Sequence, residues 1–261
     1  MNEIISAVLV VGITGLIFGC ILAIASVIFA VKKDERIDKI AEVLPGANCG
    51  ACGMAGCSAY AAAIVESGAA INLCSVGKAA VAEKIAGIMG TDAGEVEEKV
   101  AKVLCQGTCE NATDKYIYEG VADCRAAQRL AGGAKECAYG CLGLGTCVKA
   151  CMFDAIKIEN GIAVVDEEKC TGCGKCREAC PKNVIELVPK SAKAVVLCKN
   201  KDKGAAVNKY CKTGCIACRI CEKNCEFGAI TVNDNCAVID YEKCTGCGVC
   251  AEKCPKKVIS F

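Results

Sequence analysis

The N-terminal thirty residues and the rest of the chain are patterned differently. Ile4 to Val31 carry no charged side chain. At about 1.5 Å per residue a helix of that length reaches roughly 42 Å, more than the roughly 30 Å hydrocarbon core of a bilayer. Beyond it the apolar positions come in short runs. Asp34–Val43 reads as a short polar helix leading to Pro45. Ser58–Ser67 spaces Ala and Ile along one face, and Val76–Met89 and Glu95–Leu104 are predicted as two more helices. The period then shortens. Ala155–Ile158 and Ile162–Val165 flank Asn160-Gly161, a strong hairpin signal, and Asn233–Asn235 occupies the same turn in a second copy.

The flanks of the apolar stretch give it a direction. Lys32, Lys33, Arg36 and Lys39 follow it, so the positive-inside rule puts everything downstream in the cytoplasm. A cleavable signal peptide fits poorly, because the start, Met1-Asn2-Glu3, is not basic and the stretch is too long. The expectation is a single-pass cell-membrane anchor. Gly12, Gly15 and Gly19 lie near one face of it, where another membrane helix could approach closely.

Cysteine dominates the chemistry, with 27 in 261 residues. That density means a disulfide scaffold or a metal protein. The odd total forbids complete internal pairing, the cysteines fall in Cys-x-x-Cys runs, and cytoplasmic thiols stay reduced. The absence of histidine excludes Rieske centres, His-ligated haem and Cys/His zinc fingers, and removes the usual acid–base residue. A net charge of +1 gives no indication of nucleic-acid binding. No glycine-rich phosphate loop follows a strand, so no nucleotide or flavin domain is expected. Aromatic residues make up only 4%, so the cores are small and folding is expected to depend on metal.

The spacings name the metal centre. Cys49-x2-Cys52-x4-Cys57-x16-Cys74 forms one block, crowded by Gly46, Gly50, Gly53 and Gly56. The rest is a duplication with a shift of 74 residues: Cys124, Cys137, Cys141, Cys147, Cys151, Cys170, Cys173, Cys176 and Cys180 recur as Cys198, Cys211, Cys215, Cys221, Cys225, Cys244, Cys247, Cys250 and Cys254. Cys170-x2-Cys173-x2-Cys176-x3-Cys180-Pro181 and Cys244-x2-Cys247-x2-Cys250-x3-Cys254-Pro255 are the bacterial two-cluster ferredoxin run, whose fourth cysteine ligates the neighbouring cube. A zinc ribbon is not spaced this way.

The partner run in the second unit is Cys215, Cys218, Cys221 and Cys225, followed by Glu226 in place of proline. In the first unit Leu144 stands where the second cysteine belongs, and Cys137 is inferred to supply the missing ligand. The expected sets are Cys49, Cys52, Cys57 with Cys74; Cys137, Cys141, Cys147 with Cys180; Cys170, Cys173, Cys176 with Cys151; Cys215, Cys218, Cys221 with Cys254; and Cys244, Cys247, Cys250 with Cys225. That makes five [4Fe–4S] clusters. Cys20 in the apolar stretch and Cys236 on a hairpin strand read as packing residues. Cys105, Cys109, Cys124, Cys198 and Cys211 are candidates for a sixth cluster, and the sequence does not choose four among them.

The expected fold class is α+β. A single transmembrane helix (1–33) precedes a small helical four-cysteine domain (34–104), then a ferredoxin-like unit with an insertion (105–190) and a second such unit (191–261). This order of parts, with the Cys49–Cys74 block ahead of tandem ferredoxin motifs, resembles the B subunit of the Rnf-type ion-translocating electron transport complex. The resemblance implies an electron relay that takes electrons from soluble reduced ferredoxin towards membrane subunits. The whole complex would couple that flow to NAD⁺ reduction and Na⁺ or H⁺ export, with no bond-changing catalysis by this chain alone. Electrons are expected to enter at the C-terminal unit and leave by the Cys49–Cys74 cluster. The other expectation is a membrane-tethered ferredoxin that docks some other oxidoreductase, without a pump.

Overall fold

The computed structural model describes residues 2–28 and 34–261. Lys32 and Lys33, part of the basic flank, lie outside the described residues. Helix α1 (Asn2–Ile28) holds the apolar stretch. Its Val8–Ser26 segment has a mean hydropathy of 2.7 and none of it is buried, so it is long and apolar enough to cross a membrane.

Three helices build the next body. Asp34 accepts the Arg36 N–H and so caps α2 (Glu35–Val43), whose Ile37 and Ile40 point inward. The second is α3 (Cys57–Ser67), which ends on left-handed Gly68; the third is α4 (Lys78–Met89), which ends on left-handed Gly90. Glycine suits both stops because it has no Cβ to oppose a positive φ. Ile40, Tyr60, Ile64 and Ile85 close the core. Tyr60 also steers the loop to Cys74: its hydroxyl donates to the Ala70 carbonyl at 2.7 Å and accepts the Leu73 N–H at 3.1 Å.

The predicted helix at Glu95–Leu104 is instead a strand, β1 (Lys99–Val103). Its partner is β4 (Ile185–Pro189), antiparallel, with Val103 opposite Ile185. Val100 and Ala101 are both buried, on opposite faces as a strand requires. Ala101 enters the core of the first repeat unit, and Val100 meets Val188 and Val195 at the seam with the second. The expected boundary at Leu104 therefore moves upstream, since β1 belongs to the first repeat unit.

Between β1 and β4 come α5 (Cys124–Arg129), α6 (Thr146–Ala150), the hairpin β2 (Ile156–Glu159) and β3 (Ile162–Val165), and α7 (Lys175–Ala179). Asn160 and Gly161 both have positive φ, 47° and 76°, which matches the twist a two-residue hairpin turn needs. The second unit repeats the plan. It runs β5 (Val195–Val196), α8 (Gly204–Tyr210), α9 (Ile220–Lys223), β6 (Ile230–Asn233), β7 (Cys236–Ile239), α10 (Val249–Glu252) and β8 (Ile259–Ser260). Here β5 pairs with β8 and β6 with β7, the latter turning on Asp234 and Asn235, also at positive φ. Each unit is a pair of two-stranded antiparallel sheets with short helices, all but α8 carrying a cysteine.

Candidate metal centres and family

All 27 cysteines are free thiols, and 24 of them gather into groups of four. Cys49, Cys52, Cys57 and Cys74 surround one point in the helical body. Burial raises the Cys74 thiol and the neighbouring Cys49 and Cys57 add to the rise, while Cys52 and Cys74 both bear on Tyr60. The Gly77 N–H donates to Cys74 Sγ at 3.3 Å.

In the first repeat unit Cys176 faces Cys170, Cys173 and Cys151, and burial with this crowding pushes its thiol up to about 12. The Ala101 N–H of β1 donates to Cys170 Sγ at 3.4 Å. In the second unit Cys221 faces Cys215, Cys218 and Cys254, and its thiol is pushed up to about 11, again first by burial. Cys225, Cys244, Cys247 and Cys250 line one further cavity.

The fourth thiol beside Cys141, Cys147 and Cys180 is Cys124, not Cys137. Burial pushes Cys147 up to about 12, and the thiols bearing on it are those of Cys141, Cys124, Cys180 and, from the adjoining group, Cys176. Two hydrogen bonds seat Cys124. Its N–H donates to Thr146 Oγ1 at 2.7 Å, and that hydroxyl donates to Asp123 Oδ2 at 2.9 Å. Asp123 also caps α5 through the Arg125 and Ala126 N–H groups. The inserted segment thus delivers its last cysteine next to α6, where Leu144 left the run one thiol short.

Cys137 turns the other way. Burial pushes its thiol up to about 11, and the neighbours that add to the rise are Cys105, Cys198 and Cys211. The repeat held a clue to this. Cys211 has no task in a unit that already has its run of four, so its counterpart Cys137 should share whatever task it has. Cys109 stays outside every group: it is exposed, and its Sγ packs over Gly161 at the hairpin turn. Cys236 is buried on β7, donates to the Cys198 carbonyl at 3.2 Å, and lies against the Cys198 and Cys215 thiols. Sequence reasoning missed two polar residues here, Lys135 and Asn200, which are only 6% and 2% exposed. The side chain of Asn200 donates to Cys137 Sγ at 3.3 Å.

The chemistry of these sets is alike. They are all-sulfur, buried or half-buried except at Cys218 and Cys247, and supplied with backbone N–H donors. Among the described residues no three such side chains close in as tightly as a single ion requires. A cube, which spreads its thiolates around a larger body, suits this spacing better than zinc.

Comparison with known proteins agrees. The family described as "Putative Fe-S cluster" matches residues 44–76, and the "4Fe-4S binding domain" matches 163–186 and 237–260. The B subunit of the Na(+)-translocating ferredoxin:NAD(+) oxidoreductase complex of Acetobacterium woodii is 52% identical over 100% of this chain and 78% of its own length. The B subunit of the ion-translocating oxidoreductase complex of Methanosarcina acetivorans is 46% identical over 100% of this chain and 99% of its own. The proton-translocating counterpart from Clostridium ljungdahlii is 46% identical over 99% and 93%. This chain belongs to the family of ion-translocating oxidoreductase B subunits. Its cysteine groups are thus parts of an oxidoreductase assembled from several chains.

Proposed function

We propose that this chain is the electron relay of a membrane-bound, ion-pumping ferredoxin:NAD⁺ oxidoreductase, and that five of its cysteine groups hold [4Fe–4S] clusters. The ligands are Cys49, Cys52, Cys57 and Cys74; Cys151, Cys170, Cys173 and Cys176; Cys124, Cys141, Cys147 and Cys180; Cys215, Cys218, Cys221 and Cys254; and Cys225, Cys244, Cys247 and Cys250. Each cluster, when bound, takes up and gives back one electron at a potential set by charge, hydrogen bonding and exposure.

The observation that carries this reading is that three of the groups adjoin in turn. Cys49 bears on Cys173, and Lys175 stands beside both, so the helical body abuts the Cys170 group. Cys176 bears in turn on Cys147. In the second unit Cys218 and Cys247 are exposed while Cys215, Cys221 and Cys254 are buried. The C-terminal unit is therefore where a soluble donor gains the closest approach, and the Cys49 group is the last before α1. With α1 in the membrane and Arg36 and Lys39 just beyond it, the cysteine groups sit on the cytoplasmic side. The protein's own part is to bind the clusters, hold them in order, and keep water from the inner ones.

Relatives are named for Na⁺ and for proton translocation, so the coupling ion is a property of the assembled complex. A tethered ferredoxin without a pump has no observation in its favour. The test is Cys57→Ala in the intact complex. Reduced ferredoxin should still bleach the repeat-unit clusters, while NAD⁺ reduction should fall at least tenfold. Undiminished NAD⁺ reduction would sink the proposed exit.

A further inference from the structure

The five sets above leave a gap between the Cys141 group of the first unit and the Cys215 group of the second. Four cysteines stand in it. We infer that Cys105, Cys137, Cys198 and Cys211 hold a sixth [4Fe–4S] cluster, which links the cluster pairs of the two repeat units. This rests on the reading that the chain carries [4Fe–4S] clusters at all.

The four line one cavity at the junction of the units, with two thiols contributed by each. The set is symmetric in a way the sequence repeat conceals. Cys137 and Cys211 are 74-residue counterparts, each shortly ahead of its unit's first core cysteine. Cys105 and Cys198 are not counterparts on that shift, yet they occupy the same place. Val103 pairs with Ile185 and Val196 with Ile259, and Ile185 and Ile259 are repeat counterparts. Two residues beyond each valine comes the cysteine. Its sulfur then receives the same bond in both units: the Cys141 N–H donates to Cys105 Sγ at 3.4 Å, and the Cys215 N–H donates to Cys198 Sγ at 3.4 Å. The duplication has produced a pseudo-dimer whose seam presents four thiols around one centre.

Two buried polar side chains are directed at this centre. Asn200 donates to Cys137 Sγ and is held by Tyr210, to whose hydroxyl it donates at 2.8 Å. Lys135 lines the cavity, donates to the Gly107 and Gly161 carbonyls, and makes no ion pair among the described residues. A buried ammonium without a carboxylate is costly unless negative charge lies nearby. Four thiolates around a cube supply that charge. A merely apolar cluster of thiols would call for neither group.

The set also touches its neighbours on both sides. Cys105 receives the N–H of Cys141, a member of the first unit's inner group, and Cys198 receives that of Cys215, a member of the second unit's. One electron arriving from either side has its next acceptor here, and no bond is made or broken in the transfer.

The experiment is iron and acid-labile sulfide per chain on full-length protein purified without oxygen, for the wild type and for Cys198→Ala, Cys211→Ala and Cys109→Ala. The wild type should hold about 24 of each, at four per cube. Cys198→Ala and Cys211→Ala should each lose about four, Cys109→Ala none. In stopped-flow reduction by ferredoxin, both ligand variants should bleach the second unit's clusters at the wild-type rate and the Cys49 group at least tenfold more slowly. A wild-type count of about 20, or unchanged counts in both ligand variants, would overturn the sixth site while leaving five. A chain without iron would overturn the underlying reading instead.

Discussion

Lys135 is one of 31 Lys and Arg residues, and nothing in its sequence neighbourhood marks it. Its position does. The ammonium sits under the hairpin turn, where it lowers the energy of thiolate at both Cys105 and Cys141. A fixed positive charge favours the reduced, more negative form of a nearby cluster. Lys135→Gln should therefore lower the midpoint potential of the clusters nearest Cys105 and Cys141 by tens of millivolts, about 59 mV for each ~1.4 kcal/mol lost. An electron-paramagnetic redox titration would show it. An unchanged titration would mean that the ammonium serves only the Gly107 and Gly161 carbonyls. The same scale separates Cys105 from Cys109. They are four residues apart, yet one is half-buried among thiols and the other lies exposed on a turn.

Short elements with a local signal were readable: α3, α4 and both hairpins follow from apolar spacing and turn residues. Strand β1 was not. Lys-Val-Ala-Lys-Val suits a short helix as well as a strand, and its partner β4 lies far along the chain. Strand β1 now explains a difference between two otherwise matching glycines of the cluster loops. Gly172 has a φ of +69°, and a Cβ there would run into the Lys99 carbonyl oxygen of β1. Gly246, its repeat counterpart, has a φ of +72° but would meet only the flexible Lys193 side chain. Gly246→Ala should cost about 1–2 kcal/mol, the ordinary penalty of a left-handed alanine. Gly172→Ala should cost roughly 2–4 kcal/mol, because backbone must move as well. Denaturant unfolding of the cluster-loaded protein would compare them, and equal losses would show that β1 yields easily.

On the proposed reading the cysteine groups form a row that passes electrons from one unit to the next. Valines at the seam (Val100, Val188 and Val195) are each at most 3% exposed, and burying each contributes about 1.5–3 kcal/mol to folding, a part of it across the seam. A row serves electron transfer only if its members keep their spacing, and a packed seam does that better than a linker would. The helix α1 makes a separate prediction. A chain beginning at Asp34 should keep its iron and move from the membrane to the soluble fraction, as followed by iron assay after ultracentrifugation. Persistence in the membrane fraction would assign the attachment to the repeat units.

The identity of the cofactor, the duplication and the apolar anchor were legible because each rests on spacing along the chain: closely spaced thiolates, a shift of 74, a long run of residues without charge. The placement of Cys124 and Cys137 was not. Cys124 aligned with Cys198 by number, but the insertion carries Cys124 to the Cys141 group and leaves Cys105 as the true counterpart of Cys198. Cys137 was placed with Cys141 because the two are close in sequence, whereas the fold turns it towards the second unit. Linear distance governs ligands that share a loop. Ligands drawn from two units depend on strand register and on how the units pack, and only the tertiary structure contains those.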